Sequence, residues 1–507
     1  MKNLAFPSLQ QTGLTLILGL GETGMAAARW CLRQGVALRV ADTRESPAGL
    51  DDLRTEASAE LDLRLGAAAL ETATLEGVSR LVISPGLCPT EQPLAGFLAR
   101  AREQGAEIIG EIELFCRALA DLAEHGYRPK VLAITGTNGK TTVTALVRRL
   151  AEAVGHSAVA AGNISPPALA ALMTALDDEA LPEIWVLELS SFQLESTYSL
   201  APDAAAVLNL SQDHLDWHGS MQAYAAAKAR ILAGASVSVV NRDDPAVMAM
   251  IRGLQAVSVR SFGRGRPEYE GDLGLEDSQG IEWLAAVPQR EPEAVSGSSR
   301  RKHKPVAERP VGAAQRLMPT DALRLRGRHN ALNALAALAL VQTVGGGLAA
   351  MLHALRDYAG EPHRCEFVRS IAGVDFVNDS KGTNVGATVA ALEGMGRPVV
   401  LIVGGLGKGQ DFAPLAEAIR RHAKAVVFIG QDAPLIRQAL GSADLCTRDA
   451  ATMEDAVDAA MSEASQGDVV LLSPACASMD MFKNYPHRGQ CFIDAVESLA
   501  LDRGEVA

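Results

Sequence analysis

Three features are missing from this sequence, and each absence removes a class of protein. There is no C-x-x-C pair: the seven cysteines are scattered and odd in number, which argues against a disulfide framework and suits reduced thiols in a cytoplasm. No apolar run approaches the roughly 18 residues that a membrane span needs. Positive charge is not in excess. The net charge is −13, which argues against non-specific binding to nucleic acid or to a membrane surface, and any anionic substrate must be held by a few placed cations. The opening residues have one early Lys and a short apolar run that ends in glycines, so they read as a strand and turn rather than a secretion signal. What is present is globular material, 48% hydrophobic and 21% charged over 507 residues. That length suggests about three domains of ordinary size.

The rest is organised around "KVLAITGTNGKTTVTALVRRLAEAV", residues 130–154. Val131 to Thr135 read as a buried strand and Gly136-Thr137-Asn138-Gly139 as a tight loop. Lys140-Thr141-Thr142 then form the first turn of a helix with Val143, Leu146, Val147 and Leu150 on one face. Such a loop cradles phosphate. Glycines let backbone N–H groups close on an anion, and the helix N-terminus adds partial positive charge. Lys140 would reach the outer phosphates, and a Thr141 or Thr142 hydroxyl would hold Mg²⁺. The spacing departs from G-x-x-x-x-G-K-[ST] in having Ile134 where glycine belongs, and a plain Gly-rich turn is the alternative.

Before this stretch, about residues 1–110 form a βαβ-type domain in which Gly19, Gly21 and Gly24 satisfy G-x-G-x-x-G and Asp42 closes the second strand. Taken alone, that pattern accommodates NAD, any nucleotide diphosphate, or a purely structural turn. "RLVISPGLCP" ends a further strand in Ser84-Pro85-Gly86, at the edge where open α/β sheets bind ligands.

In a second domain, about residues 111–360, Asn163 sits in a turn and "EIWVLELSSFQLE" delivers Glu188 to a strand tip, where a Mg²⁺ ligand is wanted beside a phosphate loop. Asp213, His214, Asp216 and His218 crowd the loop after the next strand, which makes His214 a candidate ligand. Lys228 reads as a surface lysine on an Ala-rich helix. From about 264 to 316 the pattern fades into Pro, Ser, Gly and mixed charge, the signature of a mobile insertion. Order resumes where His329, Asn330 and Asn333 begin a helix. A third domain, about 361–507, is another α/β sheet whose loops bring Arg364, Lys381, Thr383, Lys408, Ser478 and Lys483 to one anion-binding edge. The fold class expected is therefore α/β throughout: a Rossmann-like N-terminal domain, a central P-loop domain with a mostly parallel sheet, and a Rossmann-like C-terminal domain.

The stretches "GTNGKTTV", "LELSSFQLE", "DHLDWH", "RHNALNALAA", "PHRCEFV", "NDSKGTN" and "LSPACASMDMFKNYPHRG" together resemble the Mur ligase family, ATP-dependent amide-forming enzymes of peptidoglycan assembly. Within it, "NDSKGTN", "GGLGKGQDF" and "SPACASMDMF" are most similar to members that add D-glutamate to UDP-N-acetylmuramoyl-L-alanine. The Asp-Asn-Pro stretch of the diaminopimelate- or lysine-adding members is absent. The resemblance implies a UDP seat, not NAD, in the first domain, formed by Leu20, Thr23, Asp42, Thr43, Arg44, Ser84 and Gly86 with Asn163. It implies ATP on Gly136 to Thr142, Asn330, Asn333, Arg364 and Asp379. Two Mg²⁺ ions, with Mn²⁺ as a substitute, would be held by Thr141, Glu188, His214 and a CO₂-derived carbamate on Lys228. Lys140, His214 and Lys228 would be the catalytic residues. D-glutamate would lie on Lys381, Thr383, Lys408, Ser478 and Tyr485, the last a position where the family often has Phe. A cytoplasmic monomer is implied, with small-molecule substrates and neither nucleic acid nor a membrane span. Rival readings are a folylpolyglutamate synthetase-like ligase, a P-loop switch protein and an NAD-dependent dehydrogenase.

Overall fold

The structure, a computed structural model, describes residues 6–10, 13–57, 61–252, 258–289, 309–325, 327–441 and 445–505. Three β-sheets follow one another along the chain, each covered by helices. The first contains Leu14–Leu18 (β1), Leu38–Asp42 (β2), Asp62–Leu65 (β3), Val78–Ile83 (β4) and Glu107–Ile109 (β5), all parallel, in the order β3-β2-β1-β4-β5. Strands such as LTLIL are apolar on both faces because helices cover both. The order reverses at β1, so the loops after β1 and β4 open a crevice at their carboxyl ends.

The second sheet has nine strands: Lys130–Thr135 (β6), Ala158–Gly162 (β7), Ile184–Glu188 (β8), Ala204–Val207 (β9), Val237–Asn241 (β10), Ser258–Arg264 (β11), Leu273–Ser278 (β12), Ile281–Ala286 (β13) and Gln315–Pro319 (β14). Their order is β14-β13-β12-β11-β10-β9-β6-β8-β7, parallel except where β13 pairs with β12 and β14. The central position of β6, between β9 and β8, sets the loop after it against the tips of both neighbours. The helices Lys140–Ala153 and Arg328–Val341 pack together on one face, burying Leu146, Leu150, Leu335 and Leu338 in a shared core. That second helix is Ala- and Leu-rich all round, as a fully buried helix must be.

The third sheet contains Glu366–Ile371 (β15), Val374–Asn378 (β16), Val399–Gly404 (β17), Ala423–Ile429 (β18), Cys446–Asp449 (β19) and Val469–Leu472 (β20), in the order β15-β16-β20-β17-β18-β19. Only the β15–β16 pair is antiparallel. The carboxyl ends of β16, β20 and β17 therefore lie side by side.

The expectation that pattern is lost between 264 and 316 needs correcting. Residues 273–286 form a hairpin, with Gln279 and Gly280 at positive φ in its turn, and Gln315–Pro319 adds a third strand. This hairpin extends the main sheet. Residues 290–308, including the basic run 300–304, lie outside the described residues. No helix among the described residues is long and apolar enough to cross a membrane.

Candidate active site

The phosphate loop is shaped as its glycines dictate. Gly136 (φ 155°) and Gly139 (φ 84°) both take backbone conformations that a side chain would strain. A Cβ on Gly139 would also press on Asn333 Oδ1, 2.6 Å away. Gly139 caps the helix Lys140–Ala153, leaving the first backbone N–H groups aimed into the loop. Lys140 Nζ folds back over the loop mouth and donates to the carbonyls of Gly136 (2.9 Å) and Thr137 (2.7 Å). Burial lowers its pKa, opposed by Glu188 and Asp213 and reinforced by Arg364.

Lys228 is not a surface lysine. It is 1% exposed on the helix Met221–Ala233, because that helix lies against β6 and aims the side chain beneath the loop. Nζ donates to the Gly136 carbonyl at 2.9 Å and lies 4.6 Å from the Tyr224 ring centroid. Burial, reinforced by Lys140, drives its pKa well below the ordinary lysine value. The shift is toward the uncharged, nucleophilic form of the amine.

Glu188, 2% exposed, ends β8 opposite Ile134. Its Oε1 accepts from Asn163 Nδ2 at 3.0 Å, while the buried Oε2 has no hydrogen-bond partner. An unpartnered buried carboxylate oxygen beside a phosphate loop matches a hard cation. His214, at φ 54°, borders the same cleft; Asp213 Oδ2 lies 3.5 Å from its Nε2. Burial lowers the pKa of His214, with Asp213 opposing and Lys140 and Lys228 adding to the effect. Among the described residues no cluster of three His, Cys, Asp or Glu side chains is assembled as a metal cage.

The third domain is bound to the loop directly. Arg364 Nη2 donates to Thr141 Oγ1 at 2.6 Å. Asn384, which caps the helix Val385–Met395, exchanges amide hydrogen bonds with Asn138 (3.3 and 3.1 Å) and donates to Asp213 Oδ2 at 3.2 Å. Sequence reasoning missed Asn384; the Thr-Asn ahead of an apolar helical run was a capping signal that was open to reading. The resulting cleft, about 830 Å³, is walled by Lys140, Thr141, Asn163, Glu188 and His214 on one side and by Arg364, Lys381, Thr383, Lys408 and Tyr485 on the other. Lys381 Nζ sits 3.8 Å from the Tyr485 ring centroid, and burial, reinforced by Arg364, lowers its pKa to about 8. Ser478 is buried and does not line this cleft; its carbonyl accepts from Met481 and Phe482 N–H.

A second cavity of about 520 Å³ opens on the other side of the loop, lined by Thr142, Asn330, Asn333, Arg364 and Asp379. Asn333 Nδ2 donates to Asn330 Oδ1 at 3.1 Å. Asp379 follows β16 and accepts from Ser473 Oγ (2.7 Å) and Cys365 N–H (3.2 Å). Burial still pushes its pKa up to about 6. Cys365 and His329, neither assigned from sequence, also face this cavity.

The first-domain residues form a separate cluster. Asp42 accepts from Leu20 N–H (2.7 Å), Arg44 N–H (2.9 Å) and the Arg44 guanidinium (2.9 and 2.8 Å). Burial pushes its pKa up, but these donors outweigh it and hold the carboxyl below its usual range. Ser84 Oγ donates to the Gly19 carbonyl at 2.7 Å, and a Cβ on Gly24 would collide with that same carbonyl. Thr23 is half-buried, and Thr43 and Gly86 are exposed on the same rim. Asn163 stands apart, with Glu188. The two regions meet where Ser165 Oγ donates to Glu22 Oε1 at 2.5 Å, Ser165 being part of the main cleft.

Three family profiles match the chain: the Mur ligase MurD-like N-terminal domain over residues 13–110, the Mur ligase middle domain over 134–341, and the Mur ligase glutamate ligase domain over 363–476. The UDP-N-acetylmuramoylalanine–D-glutamate ligase of Bordetella avium is 60% identical, covering 99% of this chain and 100% of the relative. The protein of that name from Burkholderia cenocepacia is 51% identical over 98% of this chain and 99% of its own. Among solved structures, the MurF ligase of Thermotoga maritima in complex with ADP superposes with a TM-score of 0.55 at 17% identity, covering 85% of this chain and 97% of that one. This last likeness is one of fold.

Proposed function

This chain belongs to the Mur ligase family, and from that membership we infer an ATP-dependent ligase that joins D-glutamate to UDP-N-acetylmuramoyl-L-alanine in peptidoglycan synthesis. The observation that carries the reading is the single cleft that faces the phosphate loop and Glu188 on one wall and the cations Arg364, Lys381 and Lys408 on the other. An amide ligase of two anionic substrates needs both walls.

A carboxylate accepts an amine only after one of its oxygens becomes a leaving group. The alanyl carboxylate oxygen attacks the γ-phosphorus of ATP, the bond to the bridging oxygen breaks, and ADP departs, leaving an acyl phosphate. The neutral amine of D-glutamate then attacks the acyl carbon; the C–O bond to phosphate breaks with its electron pair, and the nitrogen loses a proton. Lys140 sits over the loop mouth to hold the outer phosphates, and the loop N–H groups hold the rest. Asn330 and Asn333 contact the base, and Asp379 and Arg364 hold the ribose and phosphates from the third domain. Lys381 and Lys408 neutralise the two D-glutamate carboxylates, with Thr383 and the Tyr485 ring shaping the pocket. Leu20, Thr23, Asp42, Thr43, Arg44, Ser84 and Gly86 seat the UDP group, and the muramoyl-alanine arm extends from there toward Asn163.

Mg²⁺ suits Thr141, Glu188 and His214, and when bound it screens the repulsion between the two anions. Lys228 as an ammonium would repel it, and as a neutral amine would bring it no negative charge. Its suppressed basicity supports attack of the unprotonated Nζ on CO₂ with loss of a proton from nitrogen, which turns the amine into an anionic oxygen donor. Contacts of Arg364 and Asn384 with the loop close the cleft and keep water from the acyl phosphate. One chain supplies every wall of the cleft, so a monomer suffices. A UDP-linked precursor and ATP are cytoplasmic substrates, and that is where we place the enzyme.

The test is phosphate release from ATP and Mg²⁺ with UDP-muramoyl acceptors against a panel of D- and L-amino acids. Turnover that requires both UDP-N-acetylmuramoyl-L-alanine and D-glutamate is expected. ATP hydrolysis that ignores the amino acid, or ligation without ADP formation, refutes the reading.

A further inference from the structure

The loop that leaves β17, Gly405-Leu406-Gly407-Lys408-Gly409-Gln410, borders the main cleft with its last three residues. Its start is held firmly. Leu406 and Ala477 each donate a backbone N–H to the other's carbonyl at 2.9 Å, and Gly407 N–H donates to Asp432 Oδ2 at 2.7 Å. The centre then turns through two left-handed residues, Lys408 (φ 53°) and Gly409 (φ 72°). Glycine takes that conformation freely, but for lysine it is unfavourable, so the turn has to be held from its far end as well.

Gln410 supplies that hold. Its Nε2 donates back to the Gly407 carbonyl at 2.9 Å, closing the turn across Lys408, and to the Ala475 carbonyl at 3.2 Å on the segment after β20. Its Oε1 accepts from Val385 N–H at 3.0 Å. Val385 begins the helix Val385–Met395, so this N–H has no acceptor within the helix. Two donations and one acceptance suit a glutamine amide; a carboxylate of the same length would match one of the three contacts, and a thioether none. The same helix end carries Asn384, whose amide meets Asn138 and Asp213. One side chain thus fastens the Lys408 turn to the helix end that docks on the phosphate loop.

We propose that Gln410 is a positioning residue for amino-acid capture, setting the Lys408 turn so that the lysine ammonium meets a substrate carboxylate in the cleft. The inference rests on the reading of Lys408 as a D-glutamate contact. Lys408 is exposed, so its aim is set chiefly by the backbone that carries it. Gln410 acts through that backbone and not on the substrate.

The test is a double-mutant cycle in the phosphate-release assay, with Gln410→Met, which keeps the side-chain length and removes the amide, Lys408→Met, and the two together. Gln410→Met should raise KM for D-glutamate about tenfold, the size of one weakened charge-assisted hydrogen bond. Its kcat and its KM for ATP should stay within about threefold, because the lost contact is made equally in the ground and transition states. A substitution that only weakens the fold lowers the active fraction, and with it the apparent kcat, but leaves KM in place. In the Lys408→Met background, adding Gln410→Met should change KM for D-glutamate by less than about twofold, since a residue that acts through another is silent once that other is gone. The proposal is overturned by an unchanged KM for D-glutamate in folded Gln410→Met, by an equal rise in KM for ATP, or by an additive cycle. If Gln410→Met does not fold, Gln410→Ala takes its place, and failure of both to fold overturns the proposal by making the amide a requirement of the fold. A wild type that does not use D-glutamate defeats the functional reading itself, and this inference with it; a wild type that does, beside a variant with unmoved KM, defeats this inference alone.

Discussion

Replacing Lys228 by methionine should make the protein more stable while it stops ligation. Nζ is held by the Gly136 carbonyl at 2.9 Å and, more distantly, by Thr135 Oγ1 at 3.5 Å; no carboxylate bonds to it among the described residues. Burial and Lys140 hold its pKa well below the ordinary value. The unfolded chain therefore binds more protons than the folded one, and stability rises with pH as it climbs toward lysine's ordinary value of about 10.4. Methionine keeps most of the side-chain volume, removes the buried amine and leaves Gly136 O one donor short. Exchanging a buried polar or charged group for an apolar one of similar shape is neutral to stabilising, here on the order of 1–3 kcal/mol at pH 7. Ligation loses a group that sits under the phosphate loop, and a fall of at least about a hundredfold in kcat is expected from the loss of one preorganised electrostatic contact. Denaturant titrations at pH 7 and pH 9 in CO₂-depleted buffer, run beside the phosphate-release assay, read both effects. The wild type should gain stability between these pH values and the methionine variant should not. If the wild type is flat over this window, or the variant retains turnover near the wild-type rate, the argument from a buried amine of lowered pKa is wrong. The carbamate has its own control: Lys228→Ala leaves a void that a short carboxylic acid can enter, and turnover should partly return when formate or acetate is added.

Glu188→Gln keeps the bond to Asn163 but loses the charge of the unpartnered Oε2; kcat should fall about a hundredfold or more and the Mg²⁺ concentration for half-activity should rise, and a variant with an unchanged Mg²⁺ profile removes Glu188 as a ligand. Arg364→Ala breaks the bond to Thr141 across the domain gap, so KM for ATP should rise about tenfold and small-angle scattering should report a larger radius of gyration. Tyr485→Phe keeps the ring that lies 3.8 Å from Lys381 Nζ, so KM for D-glutamate should stay within about threefold, whereas Tyr485→Ala should raise it by more, because a cation–π contact is worth roughly 0.5–2 kcal/mol. Glu111, far from the chemistry, is 4% exposed and has its pKa pushed by burial from 4.5 up to about 7. The folded state keeps that proton longer, so the residue costs stability increasingly from pH 4.5 to 7 and by a constant amount above. Glu111→Gln should therefore stabilise at pH 8 by up to about 3 kcal/mol and change little at pH 4, as denaturant titration will show.

How far the sequence foretold this molecule depends on the distance over which each feature is encoded. The phosphate loop was legible because everything that shapes it lies within about ten residues: an apolar strand, two glycines that accept positive φ, a lysine, and an amphipathic helix. Three mainly parallel sheets were legible for the same reason, as apolar strands alternating with helical periods. The hairpin at 273–286 was missed although its signal was local. "LGLEDSQGIEWLAA" is two strand-like runs around Ser-Gln-Gly, but the Pro- and Ser-rich stretch just after it dominated the reading. Lys228 is a different case, marked out by the family resemblance and not by its own surroundings in the sequence. The sequence around it, AYAAAKARIL, shows a lysine on an Ala-rich helix, and nothing within a helical turn distinguishes an exposed one from one thrust under a loop 92 positions earlier.

The contacts that make the cleft are of that second kind. Arg364 meets Thr141 across 223 residues, and Asn384 meets Asn138 across 246. Neither pair carries a local pattern, because the bonds form only when two separately folded sheets present their carboxyl ends to each other. Resemblance supplied Arg364 and not Asn384, which is why one was expected and the other was not. The consequence is mechanistic. Asn138 belongs to the candidate phosphate loop, Asp213 adjoins the candidate ligand His214, and one amide on the third domain touches both. The Asn384 contacts therefore tie the position of the third sheet to the conformation of the loop and of the segment that carries His214.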